Sequence, residues 1–163
     1  MAGARKLLIL GGIALALLGM AYGMWYAIFL EHQELGSIGG TLAAGFTAAA
    51  ERNPVAAQAA LKRYSELKYR YDRHVDVHGH WIGLAMLLIL LGIAYDRVEF
   101  SERIKMFLAT GLLIGSLLFP LGVLFQTFSH DSGPRGLAVM GSALVIASLG
   151  GMTLGFARER RSS

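Results

Sequence analysis

The sequence contains no cysteine among its 163 residues. This absence excludes disulfide bonds, thiolate metal sites, iron–sulfur clusters, covalently attached c-type haem and cysteine nucleophiles. Charged residues are also scarce, at 16% of the chain, whereas they make up about a quarter of an average soluble domain. With 55% hydrophobic residues and a mean hydropathy of +0.52, the composition favours a single integral membrane domain over residues 1–163.

Four apolar runs are long enough to cross a hydrocarbon core, which takes about 20 helical residues. They cover about residues 7–30, 78–95, 106–128 and 136–157. Backbone groups in lipid must be satisfied internally, so the runs predict an all-α fold, a bundle of four transmembrane helices. Pro120 predicts a kink in the third helix. Arg5 and Lys6 before the first run are typical of a signal peptide, but its length and the three further spans favour a helix.

The charges predict the orientation of these spans. The chain carries a net charge of +4, yet its bases flank the apolar runs rather than forming one stripe, so no nucleic-acid partner is expected. Eight bases and four acids fall on one side of the spans, and seven bases and seven acids fall on the other, mostly in one long segment. The positive-inside rule therefore predicts both termini in the cytoplasm of a multi-pass protein of a bacterial-type inner (cell) membrane.

Residues 31–77, between the first two spans, predict an additional helical extracytoplasmic segment. Gly36 to Glu51 is rich in Ala and Gly, which favours a short helix packed on the bundle or on a partner. Asn53 before Pro54 is a helix start, with Asn as N-cap and Pro at the first helical position. An amphipathic stripe then predicts a helix from Pro54 to about Asp72 that can run on into the second span.

Glycines recur at four-residue spacing within three of the spans, where they allow helices to approach closely. The contact can lie within the bundle or between protomers, so we expect a homodimer or another protein partner through these faces, in addition to the lipid bilayer. The pairs are Gly19 and Gly23, Gly111 and Gly115, and Gly151 and Gly155.

All five histidines fall on the outer side of the predicted topology. His74 and His78 are four residues apart and share a helix face, as two ligands of one metal would. His78 and His80 are about 200° apart around a helix, so they suit two different sites, or one site and a structural contact. The candidate cofactor ligands are His78, His80, His130 and His32, and the candidate metal ligands are His74, His78, His80 and Glu31.

The segment Val77-His78-Gly79-His80-Trp81-Ile82-Gly83-Leu84 resembles the His-x-His segment that opens one helix of heme-copper oxidase subunit I. It also resembles the same element in small four-helix bacterial membrane proteins related to that subunit. In the oxidases the two histidines are axial ligands of two haems, so the resemblance implies ligand roles for His78 and His80. It covers about eight residues and the general span pattern. The chain has too few helices for an oxidase and no adjacent His-His pair, so no oxidase activity is implied.

Two functions remain open from the sequence. The first is a haem b- or copper-binding redox or electron-transfer protein, with its histidine site at the outer end of the bundle. The second is a non-catalytic accessory subunit of a larger respiratory or redox complex, in which the histidines are polar contacts. Glu31 and Glu34 can act as further ligands or as acceptors that fix the imidazole tautomers, but solvation is the favoured interpretation of this pair. No charged residue lies in the middle of a span, which argues against an ion pump or an ion-coupled transporter.

Overall fold

Helices account for nearly all of the computed structural model. It describes residues 3–129 and 131–162, and the side chains of 3–129 and 131–158. No strand occurs within these ranges. The chain forms, in order, α1 (Gly3–Tyr26), a π-helical segment (Ala27–Glu31), α2 (His32–Ala50), α3 (Pro54–Ala94), a 3₁₀ turn (Tyr95–Arg97), α4 (Glu102–Phe125) and α5 (Ser132–Ser162).

Four helical stretches are long and apolar enough to cross a membrane, which confirms the number of predicted spans. These stretches are Gly3–Ala50, Pro54–Arg97, Glu102–Phe125 and Ser132–Arg158. The third ends at Phe125 rather than at residue 128, because residues 126–128 form a turn. Pro120 is buried inside α4, and the helix continues through it.

The first two stretches are far longer than a bilayer requires. Residues 3–50 form 48 continuous helical residues, or about 72 Å, against a hydrocarbon core of about 30 Å. The predicted helix from Pro54 also runs unbroken to Ala94. The excess forms an antiparallel pair, α2 and the first part of α3 (residues 32–77), which we call the α2–α3 hairpin. The segment 31–77 is therefore helical, as expected, and α2 packs on α3 rather than on the span bundle.

The turn of this hairpin is closed by backbone hydrogen bonds that satisfy both helix ends. The Asn53 N–H donates to the Ala48 carbonyl at 2.9 Å, and the Arg52 N–H donates to the Ala49 carbonyl at 3.0 Å, the pattern of a Schellman motif. Arg52 has a φ of 55°, in the left-handed region usually left to glycine. The Asn53 side chain then accepts from the Ala56 N–H at 3.1 Å, as the predicted N-cap of α3.

All four spans contribute to one buried core, to which α5 adds Ala138, Val145 and Met152. Leu8 and Leu15 of α1, Trp81 and Leu88 of α3, and Leu112 of α4 are buried in one cluster. Helix α5 packs chiefly on α4. The four spans are thus not equivalent, and α1 and α3 form the pair that continues into the hairpin.

The glycine pairs join helices of the same chain. A Cβ at Gly19 would meet Trp81 at 3.0 Å, one at Gly115 would meet the Gly141 carbonyl at 2.8 Å, and the other four glycines also have neighbours within the chain. These faces are used inside the molecule and do not form a surface for a second protomer. The glycine spacing therefore no longer supports the expectation of a homodimer.

Candidate functional site

The predicted ligands lie in three different places. His74 and His78 both face α1, so their shared helix face is confirmed, whereas His80 packs on α4 with its ring centroid 4.7 Å from that of Phe119. His32 is exposed at the start of α2 and Glu31 is half-buried in the π-helical segment. His130 lies outside the described residues.

These positions do not form a copper centre. No group of three or more His, Asp or Glu side chains within residues 3–129 and 131–158 could hold a metal ion. The set His74, His78, His80 and Glu31 is therefore wrong as one metal site, because the two faces of α3 carry the imidazoles to different helices. His78 and His80 are likewise turned away from each other, so they do not hold a single ion or haem between them.

His78 has one ring nitrogen committed to the protein. Its Nδ1 lies 2.9 Å from the Gly19 carbonyl oxygen. A carbonyl only accepts, so Nδ1 carries the proton and Nε2 keeps its lone pair. Gly23 makes this possible, because a Cβ there would overlap the imidazole ring. Metal-ligating histidines commonly have this arrangement, with one nitrogen donating to a carbonyl and the other free to coordinate.

The most extensive polar arrangement is a set of five side chains where the spans meet the hairpin. We call it the outer cluster: Tyr22, Tyr26, Glu34, Arg70 and His74. The Tyr22 hydroxyl and His74 Nδ1 are 2.5 Å apart, and the Tyr26 hydroxyl donates to Glu34 Oε2 at 2.8 Å. Arg70 Nε donates to Glu34 Oε1 at 2.9 Å. These hydrogen bonds link α1, α2 and α3, and each involves either the Glu34 carboxylate or the His74 ring.

Both titratable acceptors of the outer cluster are buried. His74 is 5% exposed and Glu34 is 7% exposed. Burial of such groups is costly unless each is paired, and here both are. The Tyr26 ring stacks on the His74 ring at a centroid distance of 4.8 Å, and Tyr22 meets Trp81 edge-on at 5.4 Å. The polar atoms are thus held in place by aromatic packing.

The π-helical segment explains how Tyr26 and Glu34 meet. In an unbroken α-helix, residues eight apart point about 80° away from each other, since each residue turns about 100°. A π turn takes in one additional residue, so the eight steps act as about seven, which are two full turns. Tyr26 and Glu34 therefore share a face, and the carboxylate is turned inward.

A cavity of about 330 Å³ lies beside the outer cluster. Its polar side is lined by Glu34, Arg70 and His74, together with Gln33 and Ser37. Its apolar side includes Trp25, Leu30 and Phe128, of which Trp25 and Phe128 are 46% and 77% exposed. The cavity therefore has charged, hydrogen-bonding and aromatic walls, as a site for an amphipathic molecule would.

Comparison with protein-family models, curated proteins and solved structures finds no match to this chain. Its function is therefore argued from the geometry of the outer cluster and of the histidines.

Sequence reasoning missed the role of Glu34 and Arg70. Glu34 was expected to be solvated with Glu31, whereas the structure buries it. The four-residue spacing of polar side chains on two helices could have indicated this cluster. Tyr22 and Tyr26 are four apart on one helix, and Arg70 and His74 are four apart on the other, which predicts two polar faces at matching separation.

Proposed function

We propose that the chain is a multi-pass membrane redox protein that binds b-type haem, with His78 as an axial ligand. The observation that supports this role is the His78 Nδ1 hydrogen bond to the Gly19 carbonyl, which orients the ring and leaves Nε2 for a metal. Among the described residues, Nε2 has no hydrogen-bond partner. The bound haem would supply one-electron chemistry through its iron.

Haem fits these residues better than copper does. One axial imidazole is enough to attach a haem, whereas copper needs two or three converging imidazoles. His80 lies on the opposite face of α3, against Phe119 of α4, and is the candidate ligand of a second haem. The resemblance of residues 77–84 to the oxidase segment supports the same two roles.

The proposed orientation has the α2–α3 hairpin outside the cell and both termini in the cytoplasm of a bacterial-type inner membrane. Arg5 and Asp96 form an ion pair of 2.6 Å, and Arg158 lies over the Phe100 ring. These contacts bring three of the flanking basic segments to one end of the spans. The excess of bases at this end supports a cytoplasmic position for it.

Visible spectra of the detergent-purified chain, expressed with sufficient haem and copper, test this proposal. Both the oxidised and the dithionite-reduced samples are expected to show a Soret band, and the reduced sample is expected to show a sharp α band. His78→Ala should remove the bands, His78→Met should keep a haem with a shifted α band, and His32→Ala should leave the spectrum unchanged, since His32 is exposed. A spectrum without haem bands, whether or not elemental analysis finds copper, would overturn the haem assignment.

The second candidate function is an accessory subunit of a larger membrane complex. The hairpin favours it, because α2 has no charged residue from residue 35 to residue 50 and exposes Leu35, Leu42 and Phe46 beyond the spans. Native electrophoresis of the source membranes should then place the chain in a complex of defined size. Phe46→Lys should release it, whereas Gln58→Lys on the exposed face of α3 should not. A chain that migrates alone contradicts this function.

A further inference from the structure

We propose that the cavity beside the outer cluster binds a neutral 1,4-quinone or its quinol, drawn from the bilayer. This site lies on the α1–α2 side of α3 and does not use His78 or His80 as a ligand. The proposal goes beyond haem binding and does not depend on it.

The walls of the cavity define the chemistry of the occupant. Trp25, Leu30 and Phe128 offer apolar surface to a flat ring, and two of these side chains are exposed at the rim. Opposite them, Glu34, Arg70 and His74 offer hydrogen-bonding groups. Small-molecule sites combine mostly apolar walls with a few placed polar groups in this way. An aromatic or quinonoid ring with two oxygens meets both requirements.

The volume of the cavity limits the size of the ligand that it can bind. At about 330 Å³ the cavity is near the lower end of the range of about 300–1,000 Å³ for small-molecule sites. It suits one ring or two fused rings and is small for a porphyrin. The cavity lies where the spans continue into the α2–α3 hairpin, beside the aromatic side chains Tyr22, Trp25 and Trp81. A ring with an isoprenoid tail can reach this depth from the lipid.

The Tyr22–His74 pair can serve both redox forms of such a ring. If the Tyr22 hydroxyl donates to Nδ1, the neutral imidazole carries its proton on Nε2 and can donate to a quinone carbonyl. If Nδ1 carries the proton and donates to the Tyr22 oxygen, Nε2 can accept from a quinol hydroxyl. Tyr22 does not line the cavity and acts as a positioning residue that accommodates either tautomer.

The charges disfavour a phospholipid headgroup as the occupant. Arg70 is already paired with Glu34 at 2.9 Å, so its charge is largely compensated. A phosphate in the cavity would face the Glu34 carboxylate, which is 7% exposed and pairs with Arg70. A neutral ring with hydrogen-bonding oxygens meets no such repulsion, which is why the quinone class is preferred.

Calorimetric titration of the full chain in lipid nanodiscs tests the proposal. The probes are ubiquinone-1 and menadione, with empty nanodiscs as the blank. The chain has no cysteine, so menadione cannot form thiol adducts with it. We expect saturable binding of one molecule per chain. His74→Phe keeps an aromatic ring but removes both nitrogens, and it should weaken binding about tenfold or more.

Matched variants separate the site from general destabilisation. Arg70→Gln should weaken binding, whereas Lys68→Gln, on the same helix but in an exposed pair with Asp72, should not. Tyr22→Phe should change the ratio of quinone to quinol affinity, since it removes the hydroxyl that pairs with His74 Nδ1 in either tautomer. Tyr64→Phe should leave this ratio unchanged. Equal affinity of the wild type, His74→Phe and Arg70→Gln would overturn the site.

Two further outcomes would also overturn it. One is the absence of saturable heat above the blank. The other is displacement of the probes by a soluble short-chain phospholipid at lower concentration than the quinone itself, which would assign the cavity to a lipid headgroup. The titration is read without reference to haem content, so loss of the haem proposal leaves this result unaffected, and quinone binding can fail while the haem bands remain.

Discussion

Helices α4 and α5 are joined in a different way from the outer ends of α1 and α3. The first interface is a backbone contact between glycines, in which a Cβ at Gly141 would lie 2.7 Å from the Phe119 Cα. The second carries buried and partly buried hydrogen bonds, with His74 joined to Tyr22 and Glu34 joined to Tyr26 and Arg70. Close backbone approach is a common way to hold membrane helices together.

The difference between these two interfaces indicates which one holds the fold together and which one contains the candidate site. A small-residue interface stabilises two helices without placing any reactive group. Buried polar groups are costly unless they are paired, and a buried ion pair is weak evidence for a stabilising role. The polar interface adjoins the 330 Å³ cavity, whereas the glycine interface is filled by the opposing backbone. The first interface therefore carries the candidate site, and the second maintains the fold.

The largest effect is expected from Gly141→Ala, which places a methyl group against the Phe119 backbone. Overpacking against backbone should lower the free energy of unfolding by about 3 kcal/mol. Titration of mixed micelles with dodecyl sulfate, followed by circular dichroism, measures it. Gly150→Ala is the matched control, because a Cβ there meets nothing within 4 Å. Equal stability of the two variants would contradict a tight α4–α5 contact.

A smaller effect is expected from Glu34→Gln, which removes the negative charge that Arg70 and Tyr26 face. Loss of one partner of a fully buried ion pair lowers the free energy of unfolding by about 3–5 kcal/mol. Because the Arg70 side chain is half exposed, we expect Glu34→Gln to lower it by about 2 kcal/mol. Asp72→Asn, which breaks an exposed pair with Lys68, should leave the unfolding midpoint unchanged. If both variants unfold alike, the outer cluster is not a buried network.

The smallest effect concerns the hairpin turn, which belongs to neither interface. Arg52→Gly relieves the left-handed backbone at a φ of 55° and should stabilise the chain by about 0.5–1 kcal/mol. The same titration measures it, and the affinity for ubiquinone-1 should not change. A fall in stability would show that the Arg52 side chain contributes more than its backbone costs.

Much of the fold could be predicted from periodicity and length. Four apolar runs of about 20 residues require helices in lipid, and Asn53-Pro54 marks the start of α3 by its capping chemistry. The opposite directions of His78 and His80 followed from the helical angle alone. The partners of each face could not be predicted, because a helical pattern does not say which neighbouring helix packs on which side.

The candidate site was less accessible from sequence. The histidines predicted a site at the end of the spans where the outer cluster lies. However, His32 is exposed and the imidazoles of α3 do not converge on one point. The burial of Glu34 could not be predicted, because its direction depends on a π turn and no residue type in Ala27–Glu31 specifies one. A single added residue rotates everything that follows by about 100°, so a local irregularity decides which side chains become buried.

The sequence by itself determined that this chain forms long apolar helices, where α3 begins, and that histidines and aromatic residues gather at one end, because these properties depend on local composition and spacing. Only the tertiary structure decided that the glycine pairs bind within the chain, that α5 packs chiefly on α4, and that Glu34, Arg70 and His74 line one side of a cavity, with Tyr26 bonded to Glu34 and Tyr22 to His74. Those features depend on contacts between residues far apart in the sequence, such as Tyr22 and His74 at a separation of 52 positions, which no local pattern encodes.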